Sequence, residues 1–320
     1  MAENRPLLSI VVASYAPERL ADVCELLDSI SLQSYRPMEI VLVVQESQEL
    51  YQSLSERIGE REGDNARIFF NSGDAGLSAN RNLGVREARG ELVAFVDDDV
   101  IVAPDWAEQV VATFGDETAV GVTGPAVPLW LDESMRWLPK EFYWLISCTA
   151  WADWDGVREV RNAWGHNMAF RREGFEQAGS FLVNYGLRGH GGPVAEDTEF
   201  SLRVRAKTGK RILYNPAALV WHKIRSYRLG WRYVARRSYE VGRSRHLVRR
   251  VPGGSILAPE TELLQRIGTR LVPHIMRGLF RRPRTALRQL SLTSTSLFFV
   301  GVGYLSGLLT WRSAEAEGDR

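Results

Sequence analysis

Cysteine is almost missing from this 320-residue chain: Cys24 and Cys148 are the only two, far apart and without neighbours at metal-ligand spacing. That argues against a disulfide framework and a cysteine-built metal site, and it fits a reducing, cytosolic setting with both thiols acting as small buried hydrophobes. No G-x-G-x-x-G follows the first apolar segment and no G-x-x-x-x-G-K-S/T occurs anywhere, which argues against a dinucleotide oxidoreductase and a P-loop ATPase. Residues 1–6 are polar and lead straight into an apolar segment, so no signal peptide is expected.

What is present is an ordinary globular composition, 45% hydrophobic and 25% charged, and a very uneven charge distribution. Residues 1–216 hold 21 Lys plus Arg against 33 Asp plus Glu, whereas residues 217–288 hold 17 against 3. The basic block calls for an acidic partner. No recognised nucleic-acid motif accompanies it, which favours lipid phosphates over nucleic acid.

The acidic part is organised around E-L-V-A-F-V-D-D-D-V-I-V, residues 91–102. The apolar run predicts a buried strand that ends in Asp97, Asp98 and Asp99, at the sheet edge where open α/β sheets bind ligands. Alternate residues of an extended segment point the same way, so Asp97 and Asp99 converge while Asp98 points elsewhere. Hard carboxylate oxygens suit Mn²⁺ or Mg²⁺. The plain alternative is an acidic turn or helix cap before Pro104.

Strands over residues 7–13, 39–44 and 66–70 alternate with helices over 47–58 and 77–88 and one after S-Y-A-P-E-R, which predicts an α/β fold with a mostly parallel sheet. G-L-S-A-N-R-N-L-G, residues 76–84, opens a helix with Arg81 near its start, a setting that favours an anion such as a diphosphate. Trp130, Trp137, Trp144, Trp151, Trp154 and Trp164 follow within forty residues, suited to core packing or to stacking on a sugar. G-H-N-M-A-F-R leads into a strand, residues 186–192 form a Gly-rich loop, and Glu196-Asp197 then start a helix, as caps or as a general base. His222 ends a short strand and is a candidate metal ligand.

In this order the motifs S-I-V-V-A-S-Y, E-I-V-L-V-V, G-L-S-A-N-R-N-L-G, F-V-D-D-D, G-H-N-M-A-F-R-R, A-E-D-T-E-F-S-L-R and V-W-H-K resemble a family 2 glycosyltransferase of the GT-A fold, over residues 7–225. More narrowly, L-P-K-E-F-Y-W, V-R-N-A-W-G-H-N-M-A-F-R-R and G-V-G-Y-L-S-G resemble archaeal-type enzymes that transfer glucuronate to glucosyl-dolichyl phosphate. The resemblance implies that Ala13, Ser14, Tyr15, Gln45, Arg81, Asp97 and Asp98 meet the donor, that Asp99 and His222 hold the metal, and that Asp197 is the base. Trp164, His166, Asn167 and Glu196 become the acceptor contacts. Where many relatives carry an Asp that reads uracil, this chain has Val44-Gln45-Glu46; Gln45 both donates and accepts, which leaves uracil, guanine and thymine open.

Beyond residue 225, Arg, Trp and Tyr recur at helical spacing, and residues 289–311 contain no charge. The expectation is a basic, membrane-associating helical region over 226–314, with 289–311 a membrane-embedded hairpin or interfacial helix first and a span second, followed by a polar tail over 315–320. The whole reads as a peripheral or monotopic enzyme of the cytoplasmic membrane face. It moves a sugar from a nucleoside-diphosphate sugar, UDP-linked in the leading case, to a polyprenyl- or dolichyl-phosphate-linked acceptor with inversion. The rivals are transfer to a bare polyprenyl phosphate or a polysaccharide, a nucleotide-sugar binder without turnover, and a metal phosphohydrolase.

Overall fold

The computed structural model describes residues 5–60, 65–151, 153–183, 195–248 and 258–318. The expected Gly-rich loop over 186–192 lies outside them. Two compact units form, the first from the described residues of 1–127, 154–192 and 196–222, the second from those of 128–153, 193–195 and 223–320.

The first unit begins with alternating strands and helices: β1 (Leu8–Ser14), α1 (Leu20–Ser31), β2 (Met38–Gln45), α2 (Gln48–Gly59), β3 (Ala66–Asn71), α3 (Leu77–Glu87) and β4 (Leu92–Asp97). The chain continues through β5 (Val100–Val102), α4 (Trp106–Thr113), β6 (Ala119–Thr123), β7 (Ala126–Trp130), β8 (Arg158–Val160), β9 (Asn167–Arg171), α5 (Arg172–Ala178), α6 (Glu196–Thr208), β10 (Arg211–Tyr214) and β11 (Val220–Ile224), of which Pro128–Trp130 of β7 and Lys223–Ile224 of β11 count with the second unit. Eight strands form one sheet in the order β3-β2-β1-β4-β9-β6-β10-β8, and β5-β11-β7 form a second.

The apolar strands work because successive residues enter different cores. Ile10, Val12, Leu42 and Val44 pack on one face of the large sheet. Val11, Val41, Val43 and Phe95 pack on the other. β1 runs parallel to both β2 and β4, and Ala13 pairs with Val43 and with Asp97, so these strands end at one edge. β9 enters antiparallel to β4, with Asn167 opposite Val96, so the segment just before β9 arrives at that same edge.

The second unit has its own core, in which Phe142, Leu145 and Ile146 pack with Ile224, Val234 and Ile275. The segment 128–153 therefore belongs with the C-terminal helices, whereas sequence order alone assigns it to the transferase portion. Trp130, Trp137 and Trp144 pack against this core, and Trp154 and Trp164 pack in the first unit, so packing accounts for most of the Trp-rich stretch. The helices are α7 (Trp231–Val248), α8 (Ala258–Arg266), α9 (Val272–Arg281) and α10 (Pro283–Gly318). A π-turn over Ile267–Leu271 joins α8 to α9 just ahead of Pro273, which has no N–H for an ordinary helical bond. α10 is one unbroken helix, which corrects the expected hairpin over 289–311 and carries the tail on as helix to Gly318.

Candidate active site

β4 ends on Asp97, and the chain turns through Asp98 and Asp99 into β5. Antiparallel pairing of β5 with β11 sets His222 opposite Val100. Asp97, Asp99 and His222 thereby each offer a ligand atom, and these atoms lie within 4.8 Å of one another. His222 Nε2 is 2.9 Å from Asp99 Oδ1. Two carboxylates and an imidazole are a donor set that fits a divalent ion such as Mn²⁺ or Mg²⁺.

Asp98 turns away from that cluster and takes a hydrogen bond from Ser14 Oγ at 2.6 Å. Burial pushes its carboxyl up to about 7, with Asp99 adding to the rise while Arg19 and the Ser14 hydroxyl oppose it. Arg19 is a site residue that the sequence motifs did not single out. Its Nη1 lies 2.8 Å from Asp99 Oδ2 and 3.8 Å from Asp98 Oδ1. Burial works against the Arg19 charge, but Asp98 and Asp99 outweigh it and hold the guanidinium more firmly protonated than usual. The available signal is position: Arg19 closes the short 3-10 turn Pro17–Arg19 after β1.

The expected donor residues occupy the ends of β1 and β2. Ala13 is in register with Asp97, and Tyr15 is more than half exposed. Gln45 is buried, and its Oε1 accepts from Gly76 N–H at 3.1 Å and Asn80 Nδ2 at 2.8 Å. With the carbonyl so engaged at the start of α3, the side chain is oriented by the protein itself.

Arg81, expected to meet a diphosphate, is buried and spends its guanidinium on the protein. Nη1 pairs with Glu196 Oε1 at 2.9 Å, and Nη2 reaches Gly165 O at 3.0 Å and Asp97 Oδ1 at 3.4 Å. Burial pushes the Glu196 carboxyl up to about 7, Asp197 adds to this, and Arg81 opposes it. Glu196 Oε2 is buried without a hydrogen-bond partner among the described residues. Gly165 also donates its N–H to Asp197 Oδ2 at 2.9 Å, while Asp197 Oδ1 accepts from Thr198 N–H at 2.6 Å. One peptide thus holds Arg81 by its carbonyl and Asp197 by its amide. A Cβ at residue 165 would sit 2.6 Å from Arg81 Nη2, so any larger residue there displaces the Arg81 guanidinium.

The remaining acceptor candidates separate. The His166 ring stacks on His222 with centroids 5.9 Å apart. Trp164 is partly buried against Trp154 and Tyr214. Asn167 is fully buried; its Oδ1 accepts from Trp106 Nε1 at 2.9 Å and its Nδ2 donates to Ala218 O at 2.8 Å. Those bonds make Asn167 a clamp inside the unit, and it is not carried into the acceptor set.

Residues 9–179 match the family described as Glycosyl transferase family 2. The chain is 31% identical, over 95% of its length and 96% of the relative's, to the glucosyl-dolichyl phosphate glucuronosyltransferase of Haloferax volcanii. It is 22% identical to the succinoglycan biosynthesis protein ExoM of Rhizobium meliloti, over 74% of this chain and 73% of that one. Among solved structures it is similar to the mannosyltransferase PcManGT of Pyrobaculum calidifontis in complex with GDP-Man and Mn²⁺, with a TM-score of 0.65, 20% identity, and coverage of 95% of this chain and 88% of that one. The expected GT-A architecture is therefore found, and the chain belongs to glycosyltransferase family 2.

Proposed function

We propose that this glycosyltransferase moves a hexose or hexuronate, glucuronate in the leading case, from a nucleoside-diphosphate sugar to a polyprenyl-phosphate-linked sugar at a membrane, with inversion. The observation that carries the reading is the convergence of Asp97, Asp99 and His222 at the end of β4, in a chain similar over nearly its whole length to a glucosyl-dolichyl phosphate glucuronosyltransferase.

Asp99, His222 and Asp97 would hold Mn²⁺ or Mg²⁺, which when bound offsets the charge gathering on a leaving diphosphate. Ala13, Ser14, Tyr15 and Gln45 line the ends of β1 and β2, where the nucleoside binds, and Asp98 is tied to Ser14 beside them. The acceptor hydroxyl attacks the anomeric carbon from the face opposite the diphosphate. As the new C–O bond forms and the old one breaks, Asp197 takes the hydroxyl proton. The hydrogen bonds from Gly165 and Thr198 fix the Asp197 carboxylate for this role. Glu196 Oε2, buried and unpaired among the described residues, is suited to accept a second acceptor hydroxyl, with Trp164 and His166 as the adjoining contacts.

The test is transfer from UDP-glucose, UDP-glucuronate and GDP-mannose, each with Mn²⁺, to glucosyl-polyprenyl phosphate and to bare polyprenyl phosphate. Products are weighed by mass spectrometry, and their anomeric configuration is read by NMR. One sugar added to the glycosylated lipid with inverted configuration supports the reading. Phosphate or sugar released without an acceptor points to a hydrolase, and donor binding without product with every acceptor points to a silent binder.

A further inference from the structure

The second unit carries an amphipathic surface that the transfer chemistry does not use. Over its first 27 residues α10 is long and apolar enough to cross a membrane, and less than a third of its most apolar window is buried. It does not stand alone, however. Cβ atoms added at Gly242 of α7 and Gly303 of α10 would each lie 2.1 Å from a backbone oxygen of the other helix. Tyr239 Oη and Ser306 Oγ are 2.8 Å apart across the same contact. On its outer side α7 exposes Arg232, Arg236 and Arg243. A bilayer-crossing α10 would carry those arginines towards the hydrocarbon, where buried charge is costly.

The opposite face of α10 exposes Leu287, Leu290, Phe298, Val302 and Leu305, at the spacing of a single helical stripe. At the α9–α10 corner Phe280 is 90% exposed. Arg277, Arg281, Arg282, Arg284 and Arg288 are exposed around that corner, and none pairs with a carboxylate among the described residues. Unpaired cations bordering an apolar ridge complement an anionic lipid surface, whose phosphates neutralise the charge while the acyl layer takes the ridge.

We propose that α9 and α10 form an in-plane membrane anchor. Phe280 and the α10 stripe enter the acyl boundary of an anionic leaflet, the corner arginines bind lipid phosphates, and α10 lies along the surface without crossing it. The anchor rests on the membrane-side reading above, but its test needs neither acceptor nor turnover.

The full chain is sedimented with phosphatidylcholine vesicles, with and without phosphatidylglycerol. Binding is expected to be at least about tenfold tighter with the anionic lipid and to weaken with salt. The double variant Phe280→Ser, Phe298→Ser should lose about tenfold in binding while keeping the nucleotide-dependent thermal shift of the donor site, which reports folding. Equal binding to both vesicle types, or unchanged binding by the double variant, overturns the proposal. So does a result in which the variant turns a dimer into a monomer without losing vesicle binding, since the face would then join two copies. In a Cys24→Ala background, Arg284→Cys and Arg312→Cys should both react with a membrane-impermeant maleimide added outside sealed vesicles. Protection of the second alone means that α10 crosses, and the in-plane anchor is wrong. Vesicle binding without transfer would remove the proposed function and leave the anchor; transfer without vesicle binding would do the reverse.

Discussion

Arg81 Nη1 and Glu196 Oε1 form a 2.9 Å ion pair in which both side chains are about 95% buried, joining α3 to the first turn of α6. Removing one partner of such a pair strands the other charge. Arg81→Met should lower stability by about 3–5 kcal/mol in chemical unfolding, and Glu196→Gln, which leaves a neutral acceptor for Arg81, by clearly less. Equal, small losses from both would show that the pair does not hold these helices.

Gly165 links this pair to the proposed base. Gly165→Ala drives a methyl into the Arg81 guanidinium and shifts the amide that holds Asp197. The expected result is a fall in kcat from the displaced Asp197 together with a raised donor KM, because the displaced Arg81 Nη2 also reaches Asp97. A raised donor KM at unchanged kcat would place Gly165 in donor binding instead.

Asp197→Asn keeps the shape of the side chain and removes its ability to take a proton. Turnover on a sugar acceptor should drop by about 10²–10⁴, with nucleotide binding retained. On a bare lipid phosphate, already ionised, the loss should be much smaller. Full activity on a sugar acceptor would exclude Asp197 as the base.

Glu39 provides a pH test away from the site. Burial works to raise its pKa, but hydrogen bonds from Ser9 Oγ, Arg89 N–H and Arg67 outweigh burial and hold it below the usual carboxylate value. A depressed carboxyl contributes stability that is present above its unfolded value of about 4.3 and is lost as the pH falls through the folded value. Glu39→Gln should therefore cost about 1.5–3 kcal/mol at neutral pH, a charge-assisted hydrogen bond's worth, and the gap to the parent should close in acid. A gap constant with pH would mean that the charge of Glu39 is not what matters.

The strands and the acidic edge were legible because they depend on local pattern. An apolar run sealed on both faces reads as a central strand; Asp97 and Asp99 do converge, but through the turn that follows β4 and not through a continued extended segment. His222 was harder: its approach depends on β5 pairing with β11, a contact across 123 residues that no local signal encodes. Arg19 was missed because a 3-10 turn at the surface of a sequence looks like any loop, and only the fold shows that its guanidinium lands on Asp99. The Trp-rich segment has the same composition whichever core it joins, so its place in the second unit was not readable. A hairpin over 289–311 would need a break in α10, yet Thr293 bonds back to the carbonyl of Gln289 and Ser296 packs at a buried position within an unbroken helix.

The central claim is that Asp97, Asp99 and His222 form a metal-dependent nucleotide-sugar site, and thermal unfolding with UDP and GDP, each with and without Mn²⁺, tests it most directly. A ligand at 100 times its Kd adds about 2.7 kcal/mol, and each kcal/mol raises Tm by about 2–4 °C in a protein of this size. One of the diphosphates should raise the Tm of the parent only when Mn²⁺ is present, and neither Asp99→Ala nor His222→Ala should show the shift. Stabilisation that is the same without metal, or that survives in Asp99→Ala, would contradict the site.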